Sequence, residues 1–197
     1  MDFRNSTDLD DATLERMFHD AKGRWPTDGL DIRIRYSRSS DFSGTCYYET
    51  SRLYVNLGRH LAYPYRMDTY LARAVSSPTS WSKPLYSIEL ADGYQIVLFV
   101  LLHEYYHWLI KRAGRNTRSK ESMCDRFAAR VLVDRYGALI RDPKGRPVSR
   151  NVWDFQDLDR FVAHALYARA ADRPAPVHAA KRPLVPDHGE QFMLFNV

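Results

Sequence analysis

The sequence predicts an α+β domain, with strands in its first third and long helices behind them, and three observations lead to that expectation. Residues 31–36, Asp31-Ile32-Arg33-Ile34-Arg35-Tyr36, alternate at period two, as a half-buried strand does. Residues 46–49 and 52–57 continue that character around a short turn, a hairpin in which Tyr48, Leu53 and Val55 can pack. Beyond Asp92, apolar residues run at helical spacing instead. At 197 residues, 45% of them hydrophobic, the chain is long enough for one good core and too short for two large ones.

The first helix is expected over residues 8–22. Asp8 can cap it, Leu14, Met17, Phe18 and Ala21 share one face, and Gly23 can end it. After the strand and hairpin, residues 65–75 fit a helix, while Pro78, Pro84 and the serines around them favour loop. Asp92 then precedes a long helix running through Arg112. Gly114 stands where a C-terminal cap is expected, and Lys111 and Arg112 suit the negative end of the helix dipole. A further helix is expected over 120–136, capped by Ser119 and stopped by Gly137, with Met123, Phe127, Val131 and Leu132 at helical spacing.

A basic turn at 141–147 and a last helix over 155–170 complete the domain, expected to span residues 1–171. Residues 172–190 contain Pro174, Pro176, Pro183 and Pro186 with little to bury, which reads as a flexible linker. Residues 191–197 then form a short apolar segment. No internal repeat is visible.

Charge and composition narrow the setting. The N-terminus is polar and acidic rather than basic and apolar, unlike a signal peptide. The longest apolar run, residues 96–102, has seven residues against the roughly 18–20 needed to cross a bilayer. Two cysteines, Cys46 and Cys124, make no disulfide framework. A cytoplasmic protein without a membrane partner is the expectation. The net charge of +5 permits an anionic partner such as nucleic acid. It is concentrated in the stretch Lys111, Arg112, Arg115, Arg118, Lys120, which contains no acid. That stretch reads either as a solvated turn or as an anion contact.

The chemistry centres on His103-Glu104-Tyr105-Tyr106-His107. Four residues apart on a helix, the two histidines project from one face and can reach a single Zn²⁺. Glu104 is turned about 100° from His103, placed to take a proton from water rather than to bind the metal. The apolar run before the motif suits a buried helix, where imidazoles and a carboxylate are costly without a metal or partners. Tyr105 and Tyr106 read as packing groups. A catalytic zinc site needs a third protein ligand. Glu121 is assigned that role, with Asp125 one turn on as the acceptor that fixes a ligand histidine through its other ring nitrogen. A solvated carboxylate pair and reversed roles are the alternatives.

After thirteen intervening residues, the run Glu121-Ser122-Met123-Cys124-Asp125-Arg126-Phe127-Ala128 follows His107. Together with the first motif it resembles the gluzincin arrangement, HExxH followed by Glu-x-x-Ala-Asp/Asn-x-Phe-Ala. It is most similar to compact ImmA/IrrE-type metallopeptidase domains. Cys124 stands where those families carry alanine and reads as a packing residue. The extra histidine after HExxH found in metzincins and SprT-type proteases is missing. The resemblance implies a zincin-like fold with a small twisted sheet, an active-site helix and a ligand helix. It also implies an edge strand that holds extended peptide, for which the hairpin at 46–57 is the candidate.

At the other end, Gln191-Phe192-Met193-Leu194-Phe195 resembles the sliding-clamp-binding pentapeptide of bacteria, usually Gln-Leu-Ser/Asp-Leu-Phe. Gln191, Leu194 and Phe195 match; Phe192 and Met193 depart from it. A zinc metallopeptidase acting on protein substrate, near DNA, is the function expected. A metal-binding regulatory protein of the same fold with little turnover, or a hydrolase of a non-peptide amide, are the other classes.

Overall fold

A computed structural model describes residues 1–163. The end of the expected last helix, the linker at 172–190 and the tail residues Gln191, Leu194 and Phe195 lie outside the described residues. The fold is α+β.

Strand β1 (Asp2–Asn5) leads into helix α1 (Asp11–Lys22), whose first turn is closed by the Asp10 carboxylate accepting from the Thr13 N–H at 2.8 Å. The helix therefore starts three residues later than expected, with Asp10 rather than Asp8 as its cap. Strands β2 (Asp31–Tyr36), β3 (Phe42–Tyr47) and β4 (Arg52–Leu57) complete a four-stranded sheet in the order β1-β2-β4-β3. Strands β1, β2 and β4 are parallel, and β3 runs antiparallel to β4 as an edge. The expected hairpin forms, but its first strand begins four residues earlier than the expected residue 46.

Residues 65–75 are not a helix. Tyr65–Thr69 forms β5, in which Met67 and Thr69 are buried while Arg66 and Asp68 face solvent, the alternation of a strand. It pairs with β8 (Tyr86–Leu90), and β8 pairs with β9 (Leu139–Arg141), giving a second, antiparallel sheet. Two-residue strands β6 (Val75–Ser76) and β7 (Trp81–Ser82) form a hairpin between β5 and β8.

Helix α2 (Gly93–Arg112) is the centre of the molecule. Asp92 accepts from the Gln95 N–H at 2.9 Å, and Gln95 returns its side-chain oxygen to the Ala91 N–H at 2.9 Å, a reciprocal cap at the start of the helix. Every residue from Gln95 to Ile110 is buried, because α1, α3, β3, β4 and β8 all pack around it. Helix α3 (Glu121–Tyr136) ends at Gly137 in the left-handed conformation that glycine adopts without strain. Its N-cap is Lys120, with no side-chain cap bond, and Ser119 does not take that role. Helix α4 (Arg150–Trp153) is a single short turn, and residues 158–163 begin a further helical segment. No helix among the described residues is long and apolar enough to cross a membrane.

Candidate metal centre

Charged and imidazole side chains are almost never fully buried unless something pairs with them. Here five of them cluster between α2 and α3: His103, Glu104, His107, Asp125 and Arg126 are each no more than 5% exposed. Helix α2 supplies the first three. Its apolar face is fully engaged, so the only polar residues in its buried part other than Gln95 are those of the motif.

Both histidine Nε2 atoms converge on the first turn of α3. They lie 3.2 Å apart. His103 Nε2 is 3.1 Å from Glu121 Oε2, and His107 Nε2 is 3.2 Å from Glu121 Oε1. Tetrahedral zinc with ligands at about 2.0–2.1 Å holds neighbouring ligand atoms about 3.3 Å apart, so this triangle has the dimensions of one face of such a site. Glu121 keeps 37% of its side chain exposed, which leaves the triangle open to solvent on that side.

Asp125 stands behind the triangle. Its Oδ1 lies 2.8 Å from His103 Nδ1, and its Oδ2 accepts from the Tyr70 backbone N–H at 2.6 Å. With Nδ1 committed to a carboxylate, His103 presents Nε2 towards Glu121, the orientation a ligand needs. The structure thus brings together every residue that the sequence assigned to the site. His107 Nδ1, by contrast, is buried without a hydrogen-bond partner among the described residues.

The electrostatics follow from this packing. Burial works against a charged His103, but the hydrogen bonds to Asp125 and Glu121 outweigh it and raise the ring to about 10. Burial lowers His107. Burial alone would raise Glu121, yet its hydrogen bonds to the two histidines hold it well below the usual carboxylate range. When protons rather than a metal occupy the triangle, both imidazoles can therefore donate to one carboxylate. A dication can replace those protons, since neutral imidazoles and a carboxylate are zinc ligands. The donor set fits the metal.

Glu104 lies beside the triangle rather than in it. Burial raises its carboxyl to about 7, with the neighbouring His103 charge opposing and the Glu121 and Asp125 charges adding to the rise. A cation at the triangle would draw it back towards the ionised form. The side chain is pressed against β3: a Cβ at Gly44 would stand 2.4 Å from Glu104 Oε1 and 2.8 Å from Val100 Cγ1. Only glycine fits there. The expected strand began at residue 46, so Gly44 fell outside it and nothing in the sequence signalled this close approach.

Other groups near the site were also missed. Arg126 donates to Leu71 O at 2.9 Å and Ala72 O at 3.1 Å, pinning the segment that carries the Tyr70 N–H. Lys83 donates to Ser122 Oγ, next to Glu121. The contact from Tyr70 is made by main chain and leaves no residue-type signal.

Cys124 is fully buried, and its Sγ and a ring nitrogen of each histidine lie within 4.8 Å of one another. Burial keeps its thiol well above the ordinary range. Tyr105 and Tyr106 are fully buried, with hydroxyls donating to Pro26 O at 2.7 Å and Leu158 O at 2.9 Å. His60 is an exposed loop residue, and His164 lies outside the described residues.

The basic stretch between α2 and α3 is exposed at Lys111, Arg115 and Arg118 and half-buried at Arg112 and Lys120. Lys111 lies over the Tyr48 ring, Arg112 donates to Asp28 O at 3.0 Å, and Arg115 and Lys120 sit over Phe161. Against known proteins, no family model, no curated protein and no solved structure matches the chain.

Proposed function

We propose that the chain is an intracellular zinc-dependent metallopeptidase with a zincin-like fold, acting on a protein substrate. The observation that carries this reading is the triangle of His103 Nε2, His107 Nε2 and the Glu121 carboxylate, backed by Asp125 and flanked by Glu104. Zinc held by His103, His107 and Glu121 would supply Lewis acidity towards a carbonyl and lower the pKa of water.

The chain's own residues do the rest. Asp125 orients His103 and is itself held by Tyr70. Glu104, beside the triangle and drawn towards its ionised form by a cation there, is placed to take a proton from water and pass it to a leaving amine. Among the described residues strand β3 has no partner on its outer edge, and it passes Glu104 at Gly44, so its edge backbone groups are placed to pair with an extended peptide. The α+β layout, with a sheet edge, a motif helix and a ligand helix in contact, supports the zincin-like assignment.

Metal content of the native protein and of His103→Ala, followed by proteolysis with native protein and Glu104→Gln, tests this reading. Native protein should retain one zinc per chain and cleave, and each substitution should remove its own function. Equal cleavage by native and Glu104→Gln protein would defeat the mechanism.

One observation favours a second reading, a metal-binding regulatory protein without turnover. Cys124 stands close enough to the histidines to act as a soft fourth donor. Two histidines, Glu121 and a thiolate would close the coordination shell, as structural sites do. In that case Cys124→Ser should loosen metal binding; in the peptidase reading it should leave metal content unchanged. The sliding-clamp contact through Gln191, Leu194 and Phe195 stays a separate proposal, tested by clamp pull-down with the last seven residues deleted.

A further inference from the structure

The four-stranded sheet has two unlike faces. One carries Ile32, Ile34, Leu53, Val55 and Leu57 against the helices. On the other face fall half-buried and exposed positions of β1, β2 and β4. Its outward positions, read from strand alternation and register, hold Arg4, Arg33, Arg35, Arg52, Tyr47 and Tyr54 among short polar residues, with Asp2 and Asp31 as the acids. It contains neither lysine nor glutamate, the residues that ordinarily solvate such a face. Arginine combined with tyrosine is instead the chemistry of phosphate contact and base stacking.

These groups are held in place. The Asp31 carboxylate accepts from Arg33 Nε at 2.6 Å and from Arg52 Nε at 2.6 Å, fixing two guanidinium groups side by side. Arg35 donates to Asn56 Oδ1 at 2.6 Å and lies 4.5 Å above the centre of the Tyr54 ring. Tyr47, 43% exposed, meets Tyr54 edge to face with ring centres 5.7 Å apart. Side chains that are ordered before binding lose less entropy on contact.

We propose that this outer face of the sheet is a binding surface for single-stranded nucleic acid, with the arginines on phosphates and the tyrosines under bases. A flat sheet face does not enter a duplex groove, but it offers rings to unstacked bases. The proposal shares no residue with the metal site and stands or falls independently of it. The stretch between α2 and α3, exposed at Lys111, Arg115 and Arg118, is the rival basic surface, and the test separates the two.

The test is fluorescence anisotropy of labelled oligothymidylate with the full chain across a salt series. Matching RNA, a duplex and anionic lipid vesicles serve as comparison arms. Single strands should bind more tightly than duplex. Tyr54→Ala should weaken binding about tenfold, and Tyr54→Phe should restore it. Arg35→Ala should reduce the slope of log K against log salt by about 0.7, the loss of one phosphate contact. Tyr47→Ala, at an exposed ring, gives the same reading should Tyr54→Ala fail to fold. The proposal is overturned by any of three results: no single-strand binding at low salt, binding unaffected by the Tyr47 and Arg35 substitutions, or equal retention on vesicles. Loss of binding through Arg115→Ala and Arg118→Ala, with the sheet variants unaffected, overturns it too.

Discussion

Between α2 and α3, His103, Glu104, His107, Asp125 and Arg126 are buried, whereas on the outer sheet face Arg4, Arg35 and Tyr47 stand in solvent. Both regions are rich in charge, yet they hold it for different reasons. In the interior, each polar group costs free energy unless it has a partner, so the cluster persists only as a set, and removing one member strands the rest. On the sheet face water reaches the outermost groups, so single substitutions at exposed positions such as Arg4, Arg35 and Tyr47 cost little stability and are free to be selected for a partner. Substitutions in the two regions should therefore separate sharply in what they damage.

The largest effect belongs to Glu104. Glu104→Gln keeps the size of the side chain and removes the base, so peptide hydrolysis should fall by about 10²–10⁴-fold while bound zinc is retained. A kinetic assay paired with metal analysis checks this, and loss of metal along with activity would make Glu104 structural. Asp125→Asn comes next. Weakening the group behind His103 should lower zinc affinity by about 10–100-fold, measured by competition with a chelator. An unchanged affinity would mean that His103 needs no orientation from α3.

Gly44→Ala tests how tightly the interior is packed. The added methyl meets Glu104 and Val100, and should cost about 1–3 kcal/mol in stability by urea unfolding while displacing the Glu104 carboxyl. Full activity in this variant would detach the position of Glu104 from the reaction.

Glu89 lies between the two regimes. It is 19% exposed and ties β8 to Arg141 of β9 and Arg66 of β5. Hydrogen bonds from Arg141 and then Arg66 hold its carboxyl at about 2, below the ordinary 4.5. A carboxylate lowered in the folded state contributes stability that is present above its unfolded value and lost as pH falls through the folded one. Native protein should thus exceed Glu89→Gln by about 1 kcal/mol near neutrality, a few degrees in Tm, with the gap closing between pH 4.5 and about 2. A gap independent of pH would show that packing rather than charge is involved. The smallest effect is expected on the sheet face, where Arg35→Ala should change stability by no more than about 0.5 kcal/mol by the same unfolding assay. A larger cost would mean that this face is structural.

How much of this was legible in the sequence depended on whether the signal was local. Helix α2 announces itself through Asp92, an apolar run and a motif whose spacing is a property of the helix. The distance from His107 to Glu121 and Asp125 was readable because α3 packs directly on α2. Strand β1 escaped notice because Asp2-Phe3-Arg4-Asn5 has no apolar alternation of its own and is defined by parallel pairing with β2, far along the chain. Strand β5 was read as helix because Arg66, Met67 and Asp68 offset the strand preference of Tyr65 and Thr69; pairing with β8 decides their conformation. Gly44, Tyr70 and Arg126 act through backbone or through absence of a side chain, so only the assembled fold gives them a role.

The most direct measurement is X-ray absorption at the zinc edge of protein loaded with one equivalent of metal. The His103, His107 and Glu121 centre predicts two imidazole nitrogens at about 2.0–2.1 Å, oxygen at about 2.0–2.2 Å and no sulfur. A sulfur shell at about 2.3 Å would place Cys124 on the metal and favour a closed, non-catalytic site. Failure of the protein to retain zinc through dialysis would contradict the centre altogether.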